Sequence, residues 1–194
     1  MSTVINIVSK NPDFTECKTR LKSLLSREER VYITKHMLEI TCSVVSEFNT
    51  TNILHLFPNK EGKFIKNLSN KYNILPQIQR AGQLSDKIHS ILNQDNLIFE
   101  KKLVIGADIP SISIDEISEC INSLDEYDCV FGPSNDGGFY LVGTKANAHF
   151  IFENLNMDTI LINNLIAICK KNKISYTLIR ELKDIDCEKD LLFI

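Results

Sequence analysis

The apolar positions of this 194-residue chain alternate between short solid runs and longer stretches with helical spacing. Val4 to Val8 is an apolar run of strand length, and the polar stretch Ser9 to Cys17 reads as a loop. Ser26-x-x-Glu29 is a capping-box pattern; behind it Ile33, Met37, Ile40 and Val44 recur three or four positions apart, which predicts a helix. Ile53 to Phe57 predicts a second strand, stopped by Pro58, and Lys63 to Lys71 a short helix. Ile74 to Gln79 contains Pro76, which has no N–H for a ladder, so this strand is placed at a sheet edge. Gly82 to Asn93 carries Leu84, Ile88, Ile91 and Leu92 on one helical face, and Lys101 to Ala107 is the central strand. Ser113-x-x-Glu116 is a second capping box and opens a helix through Leu124. Strands Cys129–Phe131 and Phe139–Val142 flank a Gly-Pro turn and an Asp-Gly-Gly loop. A helix is expected over Thr159–Asn172, a last strand over Ser175–Ile179, and a short helix from Cys187.

Strands alternating with helices of about a dozen residues imply an α/β fold: a mostly parallel, Rossmann-like sheet with helices on both faces. The length suits one domain over residues 1–194, with no repeat or linker. A net charge of −3 argues against a nucleic-acid partner, so phosphate recognition has to come from a local basic cluster. No apolar run approaches the roughly 20 residues that span a bilayer, and the first strand begins with no signal-peptide pattern before it. A cytoplasmic protein without a membrane partner is expected. Its oligomeric state is not encoded in this pattern. The six cysteines form no C-x-x-C pair and have no histidine at zinc spacing, as in a reducing compartment. Cys17, beside Lys18 in a loop, is a candidate reactive thiol. The four histidines are dispersed and read as structural.

Four places carry candidate chemistry. Lys10, Lys18 and Arg20 lie within eleven positions at the end of the first strand, where phosphates are commonly held. The alternative is a solvated basic loop. Asp108 follows the central strand in Gly106-Ala107-Asp108-Ile109-Pro110, and a carboxylate at a strand's C-terminal edge suits Mg²⁺ or Mn²⁺. A turn aspartate before Pro110 is the alternative. Asp184-Ile185-Asp186 could close the same metal site through Asp186, or cap a helix. Asp136-Gly137-Gly138 is either a tight hairpin or an acceptor loop, with Asp136 as a base and the glycines allowing close approach to a ligand.

In that order the motifs resemble a bacterial family of small glycosyltransferase-like proteins with a GT-A-like, nucleotide-diphospho-sugar transferase fold, associated with radical-SAM enzymes. Lys10-Asn11-Pro12 and Lys18-Thr19-Arg20-Leu21 match its opening motif. Gly106 to Pro110 matches its G-x-D-x-P segment. Gly132-Pro133, Asp136 to Leu141 and Gly143 match its Gly-Pro and Asp-Gly-Gly segment, and Asp184, Asp186, Asp190 and Leu191 its ending. Leu25-Ser26, Glu29-Arg30 and Met37-Leu38 also resemble the 2-phospho-L-lactate guanylyltransferases. The chain departs from the first family at Phe14-Thr15, at Met157-Asp158-Thr159, and at Lys87, which keeps a charge but not arginine's bidentate fork.

The resemblance implies a divalent-metal-dependent transferase that uses a nucleotide-activated donor, first a glycosyltransferase using a nucleotide sugar and a small-molecule acceptor. Lys10, Lys18, Arg20 and Lys87 would hold donor phosphates, with Lys18, Asp108 and Asp136 catalytic. Asp108 and Asp186 would hold the metal, and Asp136, Gly137 and Gly138 would shape the acceptor side. The alternative enzyme is a guanylyl- or cytidylyltransferase-type nucleotidyltransferase. It would join an NTP to a small phosphorylated or phosphonate acid and release pyrophosphate. The alternative outside enzymes is a degenerate nucleotide-binding module.

Overall fold

A computed structural model describes residues 2–94, 98–146, 148–153, 155, 157 and 160–193. Among these residues seven strands form one sheet in the order β3-β2-β1-β4-β6-β5-β7. They are β1 (Thr3–Lys10), β2 (Thr51–Phe57), β3 (Leu75–Ile78), β4 (Lys101–Gly106), β5 (Cys129–Pro133), β6 (Phe139–Lys145) and β7 (Tyr176–Leu178). All neighbouring pairs are parallel except those of β6, which runs antiparallel to both β4 and β5. Among the described residues the α-helices are α1 (Arg27–Ser46), α2 (Lys63–Tyr72), α3 (Leu84–Asn93), α4 (Ile114–Glu126) and α5 (Ile162–Asn172).

The solid apolar runs are strands covered twice. In β4, Leu103 and Ile105 join the core under α1, α2 and α4, while Val104 between them joins the core under α3 and α5. Val130 and Phe131 of β5 divide between the two faces in the same way. Side chains alternate across a strand, so only a strand buried on both faces reads as continuously apolar. Both lysines that open β4 are buried. Lys101 donates to the Ile121 carbonyl of α4, and Lys102 to the Leu92 carbonyl at the end of α3. Leu92 lies in the last turn of α3, where carbonyls lack intrahelical partners and a cation is favoured.

Both capping boxes form, on Ser26/Glu29 and on Ser113/Glu116. β3 lies at the sheet edge, as Pro76 requires. Several boundaries differ from expectation. Lys10 is the last residue of β1 and not part of the following loop. α5 begins at Ile162; Asp158 and Thr159 lie outside the described residues. The expected helix from Cys187 is a 3-10 turn over Glu188–Phe193. Gly132-Pro133 is not a turn but the end of β5, where the register against β6 shifts. Its glycine is a packing necessity: a Cβ on Gly132 would lie 2.5 Å from the Tyr140 ring.

Between β1 and β4 the order of connection reverses. β2 and β3 lie to one side of β1 and every later strand to the other. Ligands of open α/β sheets bind beyond the strand ends at this reversal.

Candidate active site

Asn11, the first residue beyond β1, is fully buried. Its side-chain amide donates to the Asn59 and Glu61 carbonyls beyond β2, fixing where the loop starts. The rest of that loop is held from α1. Arg30, 5% exposed, donates to the Cys17 carbonyl (3.2 Å), to the Leu25 carbonyl (2.8 Å) and to the Glu16 carboxylate (2.8 Å). Glu16 also pairs with Lys22 and Arg27, and these cations, Arg30 foremost, hold its carboxyl below the ordinary value. Between these anchors Lys18 adopts a left-handed conformation at φ 46° and leads into a 3-10 turn, Thr19–Leu21. A lysine in this region is uncommon, and such outliers persist where the surroundings dictate them.

Lys18 is 8% exposed. Its ammonium lies 2.6 Å from Asp108 Oδ1 and 3.6 Å from Asp186 Oδ1. Arg20 Nη1 reaches Asp186 Oδ2 at 2.6 Å. Residues from three distant parts of the sequence thus meet at one point beyond β1 and β4. The Asp108 and Asp186 carboxylates face one common centre, now filled by a cation of the protein itself. The turn and cap alternatives do not describe these side chains. The N–H groups of Asp186 and Cys187 are satisfied instead by Asp190 Oδ2, at 2.9 and 2.6 Å. The Ile185 N–H donates to the Asp108 carbonyl at 3.2 Å, clipping the two acidic segments together.

Asp136 Oδ1 accepts from Ser134 Oγ (2.6 Å) and from the Gly138 N–H (2.9 Å), shaping the loop between β5 and β6. Gly137, at φ 86°, supplies the positive φ this turn needs. Asn135 ties this loop to the C-terminal segment: its N–H donates to the Leu182 carbonyl, and its side-chain oxygen accepts from the Asp184 N–H. Tyr140 Oη donates to the Arg180 carbonyl, and the Arg180 guanidinium pairs with buried Glu116 of α4. Burial, reinforced by Asp136, Asp186 and Asp190, pushes the Asp184 carboxyl up to about 6.

Asp108, Asp136, Asp184, Asp186, Arg20 and Gly138 line one cleft of about 390 Å³. Lys10, Lys18, Lys87 and Gly137 are not among its lining residues; Lys18 reaches the site only through its ion pairs with Asp108 and Asp186. Lys10 ends β1, and the Lys87 ammonium lies over the Phe57 ring, 5.4 Å from its centre. Cys17 is 3% exposed, and burial pushes its thiol up, so the candidate reactive thiol is an inert core residue. The Asp184-Ile185-Asp186 spacing marks both aspartates, with Asp186 as the metal candidate; the setting of Asp184 comes from the Asn135 bridge and from the neighbouring carboxylates.

Carboxylate oxygens are the hard donors that Mg²⁺ or Mn²⁺ takes. Four aspartates line the cleft, and Lys18 and Arg20 pair with two of them. Asp108 and Asp186 carry such oxygens, while among the described residues no group of three or more acidic, histidine or cysteine side chains is gathered as a ligand set.

A family model described as "Uncharacterized protein conserved in bacteria (DUF2064)" matches residues 41–159, which include Asp108 and Asp136. Two archaeal proteins named 2-phospho-L-lactate guanylyltransferase are similar to the chain. The one from Methanocaldococcus vulcanius is 29% identical over 143 residues, 74% of this chain and 62% of that protein. The one from Methanocaldococcus infernus is 29% identical over 177 residues, 91% of this chain and 74% of that protein. The match thus spans less than two thirds of the first relative's length. Among solved structures, the provisionally named nucleotide-diphospho-sugar transferase of Desulfovibrio desulfuricans G20 superposes with a TM-score of 0.87. It is 17% identical, covering 98% of this chain and 85% of that one. The 4-diphosphocytidyl-2C-methyl-D-erythritol synthase of Anaerococcus prevotii gives 0.69 at 14% identity, covering 99% and 95%. At these identities the likeness establishes the nucleotide-diphospho-sugar transferase fold.

Proposed function

Because the chain belongs to the DUF2064 family and its sheet is that of the nucleotide-diphospho-sugar transferases, we propose that it is a divalent-metal-dependent nucleotidyltransferase. It would join an NTP to a small phosphorylated or phosphonate acceptor and release pyrophosphate. The observation that carries this reading is the convergence of Asp108 and Asp186 on one cationic centre beside Arg20. The motifs alone favour glycosyl transfer; the two relatives named guanylyltransferases support nucleotidyl transfer instead.

The chain's own groups suit that step. Lys18 and Arg20 bind and orient the donor phosphates. Mg²⁺ or Mn²⁺, held by Asp108 and Asp186, would supply stabilisation of the charge that develops on the leaving pyrophosphate. A phosphate or phosphonate oxygen is already ionised near neutrality, so the acceptor needs no base. Asp136 is then free of that duty, consistent with Oδ1 being spent on Ser134 and Gly138. One observation favours the second reading, glycosyl transfer to a hydroxyl. Asp184, with its carboxyl near 6, is placed in the cleft as a base for such a proton.

Calorimetric titration with GTP, CTP and nucleoside diphosphate sugars, each with and without Mn²⁺, tests the choice. Tighter, Mn²⁺-dependent binding of a triphosphate is expected. Exclusive binding of a nucleoside diphosphate sugar would hand the assignment to glycosyl transfer.

A further inference from the structure

The protein's own cations cover the acidic corner of the cleft, and they cover it unequally. Lys18 faces Asp108 Oδ1 at 2.6 Å and Asp186 Oδ1 at 3.6 Å, while Arg20 Nη1 sits 2.6 Å from Asp186 Oδ2. Of these four carboxylate oxygens, only Asp108 Oδ2 has no partner among the described residues. Two carboxylates and two cations leave the corner without net charge. A divalent cation needs several oxygens, and here both oxygens of Asp186 already face a positive group. A guanidinium in contact with Asp186 also repels such an ion. In keeping with this, no set of three or more ligand side chains is gathered among the described residues.

The two cations differ in how readily they can move. The Lys18 side chain is 5% exposed and lies outside the cleft lining. Pulling it from its partners would leave a buried charge unpaired, which is costly. The Arg20 side chain is 72% exposed, and it is the one cation among the described residues that line the cleft. An exposed ion pair is weak, so a better anion can draw Arg20 off Asp186. A phosphate is such an anion, because it accepts two parallel hydrogen bonds from a guanidinium.

Resting on the nucleotidyl-transfer reading, we infer that Arg20 exchanges partners as the donor binds. In the empty site it covers Asp186 Oδ2 and holds off a free divalent cation. When the donor enters, Arg20 moves onto a phosphate and uncovers that oxygen. Lys18 stays behind the two carboxylates throughout. The site therefore takes a divalent cation poorly by itself and well together with the donor phosphates. By linkage the effect is mutual: each strengthens the binding of the other by the same factor.

Replacing Arg20 should move two affinities in opposite directions, which a merely structural role would not do. Binding of Mn²⁺ to the full chain without nucleotide is read from the free Mn²⁺ signal in electron paramagnetic resonance. Arg20→Met should bind Mn²⁺ roughly two- to tenfold tighter than the unmodified chain, as expected for loss of one exposed ion pair and one nearby positive charge. By calorimetry with Mn²⁺ present, the same variant should bind a non-hydrolysable GTP or CTP analogue at least about tenfold weaker. Adding Asp186→Asn to Arg20→Met should abolish the gain in Mn²⁺ affinity. Unchanged or weaker Mn²⁺ binding by Arg20→Met, or a gain that survives the loss of Asp186, overturns the exchange. It does so even where Mn²⁺-dependent binding of a triphosphate leaves nucleotidyl transfer intact. Opposite shifts seen with a nucleoside diphosphate sugar, with no triphosphate bound, leave the exchange standing and overturn nucleotidyl transfer.

Discussion

Lys18 is where the candidate site is assembled, and its surroundings are set by residues that never enter the cleft. Its ammonium bridges Asp108 and Asp186, while its left-handed backbone is imposed by Arg30 behind and by the 3-10 turn ahead. Arg20, more exposed, holds the outer oxygen of Asp186. If Arg20 releases that oxygen to grip a donor phosphate, Arg20→Ala should weaken nucleotide binding roughly 10- to 100-fold, the usual worth of one charge-assisted contact. Calorimetry at low salt measures this, and an unchanged dissociation constant would remove Arg20 from the site. At this scale the sequence was legible where a motif isolates a charge. Asp108 stands just beyond β4, while Lys18, Arg20 and Asp186 lie further along the segments that follow β1 and β7, and the fold brings them together. Asp184 was legible as one of the Asp184-Ile185-Asp186 pair, but its burial and its tie to Asn135 were not. Cys17 misled for the same reason: a polar neighbour in sequence says nothing about burial in space.

Among the elements, α1 does more than cover the sheet. Its first turn carries both the Ser26/Glu29 capping box and Arg30, whose guanidinium bonds three groups of the loop before it. Arg30→Met keeps the aliphatic stem but leaves the Cys17 and Leu25 carbonyls without that donor. It should cost roughly 1–3 kcal/mol of stability in urea unfolding. It should also weaken nucleotide binding, because the loop it holds carries Lys18; full stability together with full binding would contradict the clamp. The capping box was readable as a helix start, whereas the clamp depends on a loop path that spacing cannot reveal.

Within β2, His55 is 2% exposed and its Nε2 lies 2.9 Å from Asn6 Oδ1. Burial lowers its pKa to about 4, against an ordinary unfolded value near 6.5. The unfolded chain therefore binds this proton first. The stability that neutral His55 contributes is complete above about pH 6.5 and is lost as pH falls from there toward 4, at about 1.4 kcal/mol per pH unit. Unfolding free energies at pH 7, 6 and 5 should show His55→Gln with a shallower loss than the unmodified chain. Parallel slopes would mean His55 is not neutral in the fold.

For the whole molecule, the reversal of strand order between β1 and β4 does the positioning. It opens the sheet's edge where Val8 and Gly106 line the cleft, and the antiparallel β6 brings its Asp-Gly-Gly loop to the same edge. The alternation of strands and helices announced the class of fold, because doubly covered strands must be solidly apolar. It did not announce strand order; the hairpin reading of Asp136-Gly137-Gly138 did announce β6 running antiparallel to β5, but not its pairing with β4. Among the described residues no helix is long and apolar enough to cross a membrane. The proposal of nucleotidyl transfer rests on the two relatives named guanylyltransferases, each 29% identical to the chain, whereas the Asp-Gly-Gly loop by resemblance pointed to sugar transfer. The most direct measurement of the central claim is acceptor-dependent release of pyrophosphate from GTP or CTP in Mn²⁺, with α-labelled triphosphate to follow the nucleotidyl group. Release of pyrophosphate matched by transfer of the label, and abolished in a folded Asp108→Asn variant, is the predicted result. Turnover of a nucleoside diphosphate sugar with no pyrophosphate from any triphosphate, or full activity of Asp108→Asn, would contradict it.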